Sequence, residues 1–345
     1  MVHSLLGLRD TAANRNGKTM TLESRPEDQQ DSESRDSIYS IVLVYNNFAD
    51  TDECLRSLAA QDYRRHSIIV VDNGSKDGSL ARLEEAWGTR VQFVLNERNL
   101  GVAGGYNAGV SAALEAGADY VVTCNNDIVV EGEFISALQS TFESFADTGI
   151  AVPVILYYDR PDLVWFAGVR QHPALFYSRN LRRGQPVSST KGETAPFDSG
   201  YVPTCATMMS RRALESVGLL DDRFFFGHDD VDWCLRARKK GFRCLVVPRA
   251  LVRHKVSVTS GLRGTNVLSP SSAFTHGLGS VLIGSKHFQG WRAAGFIAGL
   301  VALRMPYNIA ALALSGGRRS MIPYLKGIAE GFRRHGAGFV RSGEP

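Results

Sequence analysis

The chain has 345 residues, enough to bury one large core with an appendage. Its 39 Lys and Arg against 35 Asp and Glu leave a formal charge of +4, too small a surplus for a dedicated nucleic-acid binder, so nucleic acid is not an expected partner. Five cysteines (Cys54, Cys124, Cys205, Cys234, Cys244), odd in number and without CxxC spacing, point to reduced thiols in a cytosolic compartment rather than to disulfides or zinc.

Residues 1–36 are polar, with charges of both signs and no apolar run behind a basic start. A disordered tail without a secretory signal is expected there. Ile38–Tyr45 (IYSIVLVY) reads as a strand buried on both faces. Asn46-Asn47 follow, and Asp50 or Thr51 can cap a helix to about Gln61 with Leu55 and Leu58 inward. Ser67–Val71 is a second strand, ending at Asp72-Asn73-Gly74-Ser75, and Ser79–Trp87 is helical. A third strand at Val91–Leu95 is followed by Asn99–Asn107 (NLGVAGGYN), a glycine-rich lead into a helix reaching about Ala116. A fourth strand around Val121 stops at Asn125-Asn126-Asp127, before Ile128–Val130 restores apolar character. A helix from about Glu133 and a strand at Ile150–Ile155 complete the first half.

Strands alternating with helices predict an α/β, doubly wound, mostly parallel sheet. In such sheets ligands bind beyond the carboxyl ends of the strands. Asn46, Asp72 and Asp127 would then share one rim, where oxygen donors suit a hard divalent cation holding a diphosphate. Asn and Asp are also common turn residues, which is the plainer account of each alone.

Tyr157–Pro196 carries Arg160, Arg170, Arg179, Arg182 and Arg183 and reads as long loops, with room for an antiparallel extension of the sheet. Asp198–Arg211 is a glycine-opened loop followed by a strand of small residues, and Arg211–Val217 a short helix ended by Gly218. Phe224-Phe225-Phe226-Gly227 precede a helix from His228 or Asp229 to Lys240, stopped by Gly241. Asp229, Asp230 and Asp232 in its first turn suit the helix dipole. Behind an aromatic loop, desolvation would also raise a carboxyl toward the general-base range. Both readings stand on the residues alone. Arg243–Val247 is a further strand, and Leu251–His254 ends an apolar patch with a histidine that, taken singly, reads as structural.

The tail, Phe274–Arg341, is basic and apolar. Its greasiest run, Ala293–Leu303, is too short to span a bilayer, and Arg304, Pro306 and Asn308 are expected to interrupt any continuation. Two readings remain: an ordinary helical cap, or helices in a membrane interface with Arg318, Arg319, Lys326, Arg333 and Arg334 meeting anionic headgroups.

Six blocks in order, VLVYNN, IIVVDNGSKDGS, NLGVAGGYNAG, CNND, GLLDDRFFFGHDDVDWCLR and LVRH, resemble the inverting family-2 glycosyltransferases of GT-A fold, in particular the rhamnosyltransferase-like branch. The resemblance covers roughly Ser40–Ser260. It implies a catalytic domain over residues 37–265, with a nucleotide-binding half (37–130) and an acceptor half (131–265), followed by a helical extension over 266–345. It implies that Tyr45 and Asn46 line the nucleotide base, that Asp72 accepts from a uracil or thymine ring N–H with Asn73 beside it, and that Asn99, Gly101, Gly105 and Asn107 shape a loop against the nucleotide and diphosphate. Asn126 falls among the nucleotide-binding positions. Asn125 and Asp127 fall on the family's Asp-x-Asp positions for Mg²⁺ or Mn²⁺, with Asp127 the direct ligand and His254 completing the metal or diphosphate site. Asp230 falls on the catalytic base and Asp229 on its neighbour. Two departures stand out: Asn125 replaces a carboxylate, and Asp229 replaces the usual Glu.

The resemblance implies transfer of a sugar, rhamnose first, from a dTDP- or UDP-linked donor to a hydroxyl of a glycan or lipid-linked acceptor of the cell envelope, on the cytoplasmic face of the membrane. A dinucleotide-dependent oxidoreductase is the first alternative; but Gly101, Gly104, Gly105 and Gly109 are not spaced GxGxxG and follow the third strand rather than the first. A catalytically silent nucleotide-sugar-binding module is the other, opposed by the set Asp127, Asp230 and His254.

Overall fold

The structure is a computed structural model that describes residues 36–61, 63–171, 178–190, 192–256 and 269–336. The expected tail, up to residue 35, lies outside the described residues. The first half runs β1 (Ile38–Val44), α1 (Phe48–Ala59), β2 (His66–Asp72), α2 (Ser79–Trp87), β3 (Gln92–Leu95), α3 (Gly101–Glu115), β4 (Tyr120–Asn125), β5 (Ile128–Val130) and α4 (Phe134–Ser144). Then follow β6 (Thr148–Tyr157), β7 (Val164–Phe166), β8 (Val169–Gln171), β9 (Ser178–Asn180), β10 (Phe197–Asp198), β11 (Ala206–Ser210), α5 (Arg211–Val217), α6 (Asp229–Lys239) and β12 (Arg243–His254). The C-terminal helices are α7 (Pro270–His287), α8 (Gly290–Gly299), α9 (Met305–Leu314) and α10 (Met321–Gly336).

One sheet orders the strands β10-β12-β6-β11-β4-β1-β2-β3, with β5 beside β12 and β7 beside β6. β3, β2, β1 and β4 are mutually parallel, as the alternation of apolar strands and amphipathic helices requires. Register puts Val44 opposite Asp72 and Leu43 opposite Asn125, so three strands end level with one another. β11 runs antiparallel between β4 and β6 and starts at that same rim, Ala206 opposite Cys124. β12 runs parallel to β6 and ends there too.

One segment differs from the sequence reading and another follows it. The strand expected at Arg243–Val247 and the patch ending in His254 are one strand, broken by an irregularity between Val247 and Leu251. Pro248 explains it, since a proline offers no N–H to the ladder and is tolerated at a bulge. The region 157–196 does extend the sheet antiparallel, through β7 on β6, while β8 and β9 form a separate hairpin.

Glycines in α3 serve packing. A Cβ on Gly105 would collide with Leu43, and one on Gly109 with Ile41, so α3 lies against β1 closer than a side chain allows. Most of the stretch read as a glycine-rich lead into the helix, Asn99–Asn107, is itself helix from Gly101. The main core lies on both faces of the sheet, with Tyr106 and Trp233 fully buried. A second cluster joins Ala273, Leu278, Val281, Phe296, Leu300 and Tyr324 of the C-terminal helices to Phe224 of the aromatic loop.

The C-terminal helices also correct an expectation. Gly290–Leu314 is one 25-residue helix, carried past Arg304 and Pro306 by a π-helical turn at Leu300–Arg304. In that turn Met305 N–H donates to Leu300 C=O, five residues back, just before Pro306. By length and composition this helix could cross a bilayer, and it is mostly exposed.

Candidate active site

The rim is knitted from the turns that end the strands. Asn46 and Asn47, just beyond β1, both take left-handed backbone (φ 63° and 68°), a conformation Asn tolerates better than most residues. Asn46 N–H donates to Ser75 Oγ (2.7 Å) and its Oδ1 accepts from Lys76 N–H (2.9 Å), while Asn47 N–H donates to Asp77 (2.8 Å). The turn after β1 and the DNGSKDGS loop after β2 are thus one unit. Half-buried Tyr45 sits at its edge.

Asp72 is buried, and its Oδ2 accepts from the N–H groups of Gly74 (3.2 Å) and Ser75 (3.1 Å). Its Oδ1 is buried without a hydrogen-bond partner among the described residues. A buried carboxylate oxygen left unpaired is costly.

Asp127 follows β4 and is 5% exposed. His254 Nε2 lies 3.1 Å from its Oδ1, brought there by β12 pairing with β5, which sets His254 opposite Ile128. Burial pushes the Asp127 carboxyl up, but the charge and hydrogen bond of His254, with further bonds including one from Asn125, outweigh it and hold the group below the usual carboxylate range. The His254 ring meets Trp165 edge-on at 4.9 Å.

Asn125, expected among the metal ligands, is turned otherwise: its Oδ1 accepts from Tyr106 Oη–H (2.8 Å) and its amide supports Asp127. Among the described residues no group of three or more His, Cys, Asp or Glu gathers as a metal cage. The donors that remain, the Asp127 carboxylate and the His254 imidazole, are of kinds that would suit a divalent ion.

Thr204 and Cys205 link the end of β4 to the start of α6. Asn125 N–H donates to Cys205 C=O (2.8 Å), and neighbouring Thr204 Oγ1–H donates to Asp229 Oδ2 (3.2 Å). Burial, then the charges of Asp127 and Asp230, push the Cys205 thiol up. Tyr106 likewise lies within the field of both Asp229 and Asp127. Asp229, Asp230 and Asp127 therefore surround Cys205 and Tyr106, and His254 is on Asp127. Asp229 is 2% exposed, whereas Asp230 is half-buried, with Oδ1 on Val231 N–H (2.7 Å). Desolvation raises both carboxyls, and the Asp229 charge raises Asp230 further.

The other residues expected at the nucleotide make the following contacts within the chain. Asn73 Oδ1 accepts from Asn96 Nδ2 and Leu100 N–H, and its amide donates to Asn99 Oδ1 and Gly101 C=O, so all its hydrogen-bonding capacity holds the loop before α3. Asn99 Oδ1 accepts from Gly101 N–H (2.8 Å) at the start of α3. Gly105 faces Leu43, and Asn107 clamps the backbone of Leu220 with both amide atoms (2.8 and 3.0 Å). Asn126, 6% exposed, donates to Thr51 Oγ1 (3.0 Å) and Asn46 C=O (3.4 Å). Gly101 (φ 78°) receives Phe225 so closely that a Cβ would strike its carbonyl oxygen.

Lys255 was not singled out from the sequence. It is buried, its N–H donates to Asp127 C=O (3.0 Å), and its ammonium pairs with Asp50 and with Glu53 (2.5 Å) on α1. The signal was a lysine directly after His254 and two acids in a helix start, which helix capping already explained. A cavity of about 720 Å³ lined by Arg170, Arg182, Asp198 and Leu235 contains none of these groups.

A family model described as glycosyl transferase family 2 matches residues 40–218, more than half of the chain. The chain is 28% identical over 225 residues to the dTDP-rhamnosyl transferase RfbF of Shigella flexneri, covering 64% of this chain and 69% of that one. It is 24% identical over 272 residues to the N-acetylglucosaminyl-diphospho-decaprenol L-rhamnosyltransferase of Mycobacterium tuberculosis (73% and 86%), and 24% over 215 residues to the galactofuranosyltransferase GlfT1 of the same organism (60% and 66%). In fold it resembles the mannosyltransferase PcManGT of Pyrobaculum calidifontis, solved with GDP-Man and Mn²⁺ (TM-score 0.51, 16% identity, 86% of this chain and 87% of that one). It also resembles GalNAc-T7, solved with UDP, GalNAc and Mn²⁺ (TM-score 0.53, 14%, 80% and 57%). The sheet with its flanking helices is the GT-A arrangement, and the chain is a glycosyltransferase that belongs to glycosyl transferase family 2.

Proposed function

We propose that the chain transfers rhamnose from dTDP-rhamnose to a hydroxyl of a lipid-linked or glycan acceptor of the cell envelope, with inversion at the anomeric carbon. The observation that carries this reading is one rim holding a carboxylate with an unpaired buried oxygen (Asp72), an acid–imidazole pair (Asp127, His254) and a raised, half-exposed carboxyl (Asp230). Asp72 Oδ1 takes the ring N–H of thymine, with Tyr45 and Asn46 beside the base. Asp127 and His254 would hold a divalent ion, Mg²⁺ or Mn²⁺, which when bound would neutralise charge on the leaving diphosphate.

Asp230 takes the proton of the acceptor hydroxyl as that oxygen bonds to the anomeric carbon and the bond to the diphosphate breaks. Asp229 is the less suited of the two, since it is almost fully enclosed while Asp230 is half-buried. The donor follows the relatives named for rhamnosyl transfer; the relative named for galactofuranosyl transfer makes a UDP-linked furanose the second reading.

The acceptor reading places the chain in the cytoplasm, peripheral on the inner membrane face. Supporting this, the 25-residue helix exposes Trp291, Val301, Leu303, Tyr307 and Leu314, while Arg318 and Arg319 lie just beyond its end. Phe296, Leu300 and Leu312 are buried against the other helices, which favours lying in the interface over crossing it.

The test is a donor screen. dTDP-rhamnose, UDP-galactofuranose and UDP-glucose are compared for Mn²⁺-dependent protection against thermal unfolding and for nucleotide release with an N-acetylglucosaminyl diphospho-lipid. Protection and release with dTDP-rhamnose support the proposal; preference for a UDP-sugar overturns the donor.

A further inference from the structure

We propose that the C-terminal helix α7 is part of the catalytic scaffold, and that Lys286 and His287 at its end, with His228 facing its middle, are positioning residues that set where the Asp230 carboxylate points. The inference deepens the proposed function and rests on Asp230 being the base.

The segment from Leu220 to Asp232 carries Asp230, and α7 grips it at three places. Before the aromatic loop, Asp221 takes Lys286 Nζ (2.6 Å) as well as Arg223 (2.6 Å). After the loop, Asp232 is fully buried and accepts from Lys286 Nζ (2.8 Å), His287 Nε2 (2.7 Å) and Arg236 Nε (2.8 Å). Between them, the buried His228 ring lies 4.6 Å from that of His276, with Ser280 Oγ 3.3 Å from its Nε2. The space for that ring exists because residue 279 is glycine: a Cβ there would sit 2.9 Å from His228 Nδ1.

These grips act on the turn that aims the base. His228 is the N-cap of α6, with φ 72° and no side-chain capping bond. Non-glycine residues pay for left-handed backbone, so surrounding contacts must hold it. Asp230 is two residues on, in the first turn, and Asp232 is in the same turn. A cation and an imidazole at the C-terminal end of α7 meet a carboxylate at the N-terminal end of α6, which both helix dipoles favour. α7 is itself fixed: Gly277 lies against the Tyr324 backbone of α10 and Gly327 against the Phe274 backbone. None of these bonds touches Asp72, Asp127 or His254.

Removing the grip should therefore damage turnover and spare the donor half. His287→Leu and Lys286→Met are expected to lower kcat by about 10²-fold, the scale of an ångström-sized misplacement. KM for dTDP-rhamnose and the affinity for dTDP with Mn²⁺ should stay at wild-type values. His287→Gln, which keeps a donor at the Nε2 position, should recover kcat. Gly279→Ala presses on His228 without removing a charge and should give the same split, which covers the case in which the charge variants fail to fold. Wild-type kcat in both His287→Leu and Gly279→Ala, with Asp230→Asn inactive, overturns the positioning role and leaves the base assignment intact. Wild-type turnover in Asp230→Asn removes the base itself and the inference with it.

Discussion

His254 Nε2 and Asp127 Oδ1 lie 3.1 Å apart although 127 residues separate them in the chain. The contact exists because β5, three residues long, follows Asp127 directly and pairs with the end of β12. If this pair holds the ion on the diphosphate, Asp127→Ala should weaken dTDP binding in Mn²⁺ by roughly 10–100-fold, the worth of a charged contact. It should leave binding in EDTA almost unchanged. Calorimetric titration under the two conditions measures the difference, and equal losses in both would remove the ion from the account.

Asp72 offers one unpaired acceptor. The wild-type protein should bind dTDP and UDP well ahead of CDP, whose ring nitrogen at that place is an acceptor. Asp72→Asn supplies a donor there and should narrow or reverse that order, with a loss for dTDP of about 1–3 kcal/mol. Competition among the three nucleotides is the measurement.

Asp230 carries a pH signature and a stability signature. Its carboxyl is raised by desolvation first and by Asp229 second, so the active, deprotonated base forms only above the usual carboxylate range near about 4. kcat should fall on the acid side with a midpoint displaced upward. For stability the sign runs the other way: a carboxyl raised in the folded state destabilises the fold once it ionises. Asp230→Asn should therefore raise the melting temperature at about pH 9, above the folded-state value, and bring little gain at about pH 4. Transfer should be abolished at both. Equal stabilisation at the two pH values would mean that burial does not perturb this group.

Gly101 has φ 78° and lies against the Phe225 carbonyl. Gly101→Ala adds left-handed strain and displaces the aromatic loop, and should destabilise the fold by about 1–3 kcal/mol. Because that loop leads into Asp230, kcat should suffer more than dTDP affinity. Chemical denaturation and steady-state kinetics on one preparation test both parts.

The exposed face of Gly290–Leu314 should bind anionic vesicles. Leu303→Glu and Tyr307→Glu together should abolish flotation with phosphatidylglycerol liposomes and leave turnover of a water-soluble acceptor unchanged. Flotation that survives both charges would assign that face to something other than lipid.

Much of this was legible in one dimension. Short β-branched runs alternating with amphipathic helices dictated a parallel sheet, and parallel strands that end in Asn46, Asp72 and Asn125-Asn126-Asp127 must present them on one rim. The acidic first turn of α6 behind three phenylalanines carried the desolvated carboxyl. All these signals are local, since periodicity, caps and strand ends are set by neighbours in the chain.

The tertiary structure decided which polar groups remain free. Asn73 and Asn107 have the composition of ligand contacts, yet packing spends their hydrogen bonds within the chain, and Gly105 and Gly109 admit α3 to the sheet. Lys255 finds its acids, and His287 finds Asp232, only across elements distant in the chain. A residue's type fixes what bonds it can make, but which of them are already made is a property of neighbours that only the fold supplies.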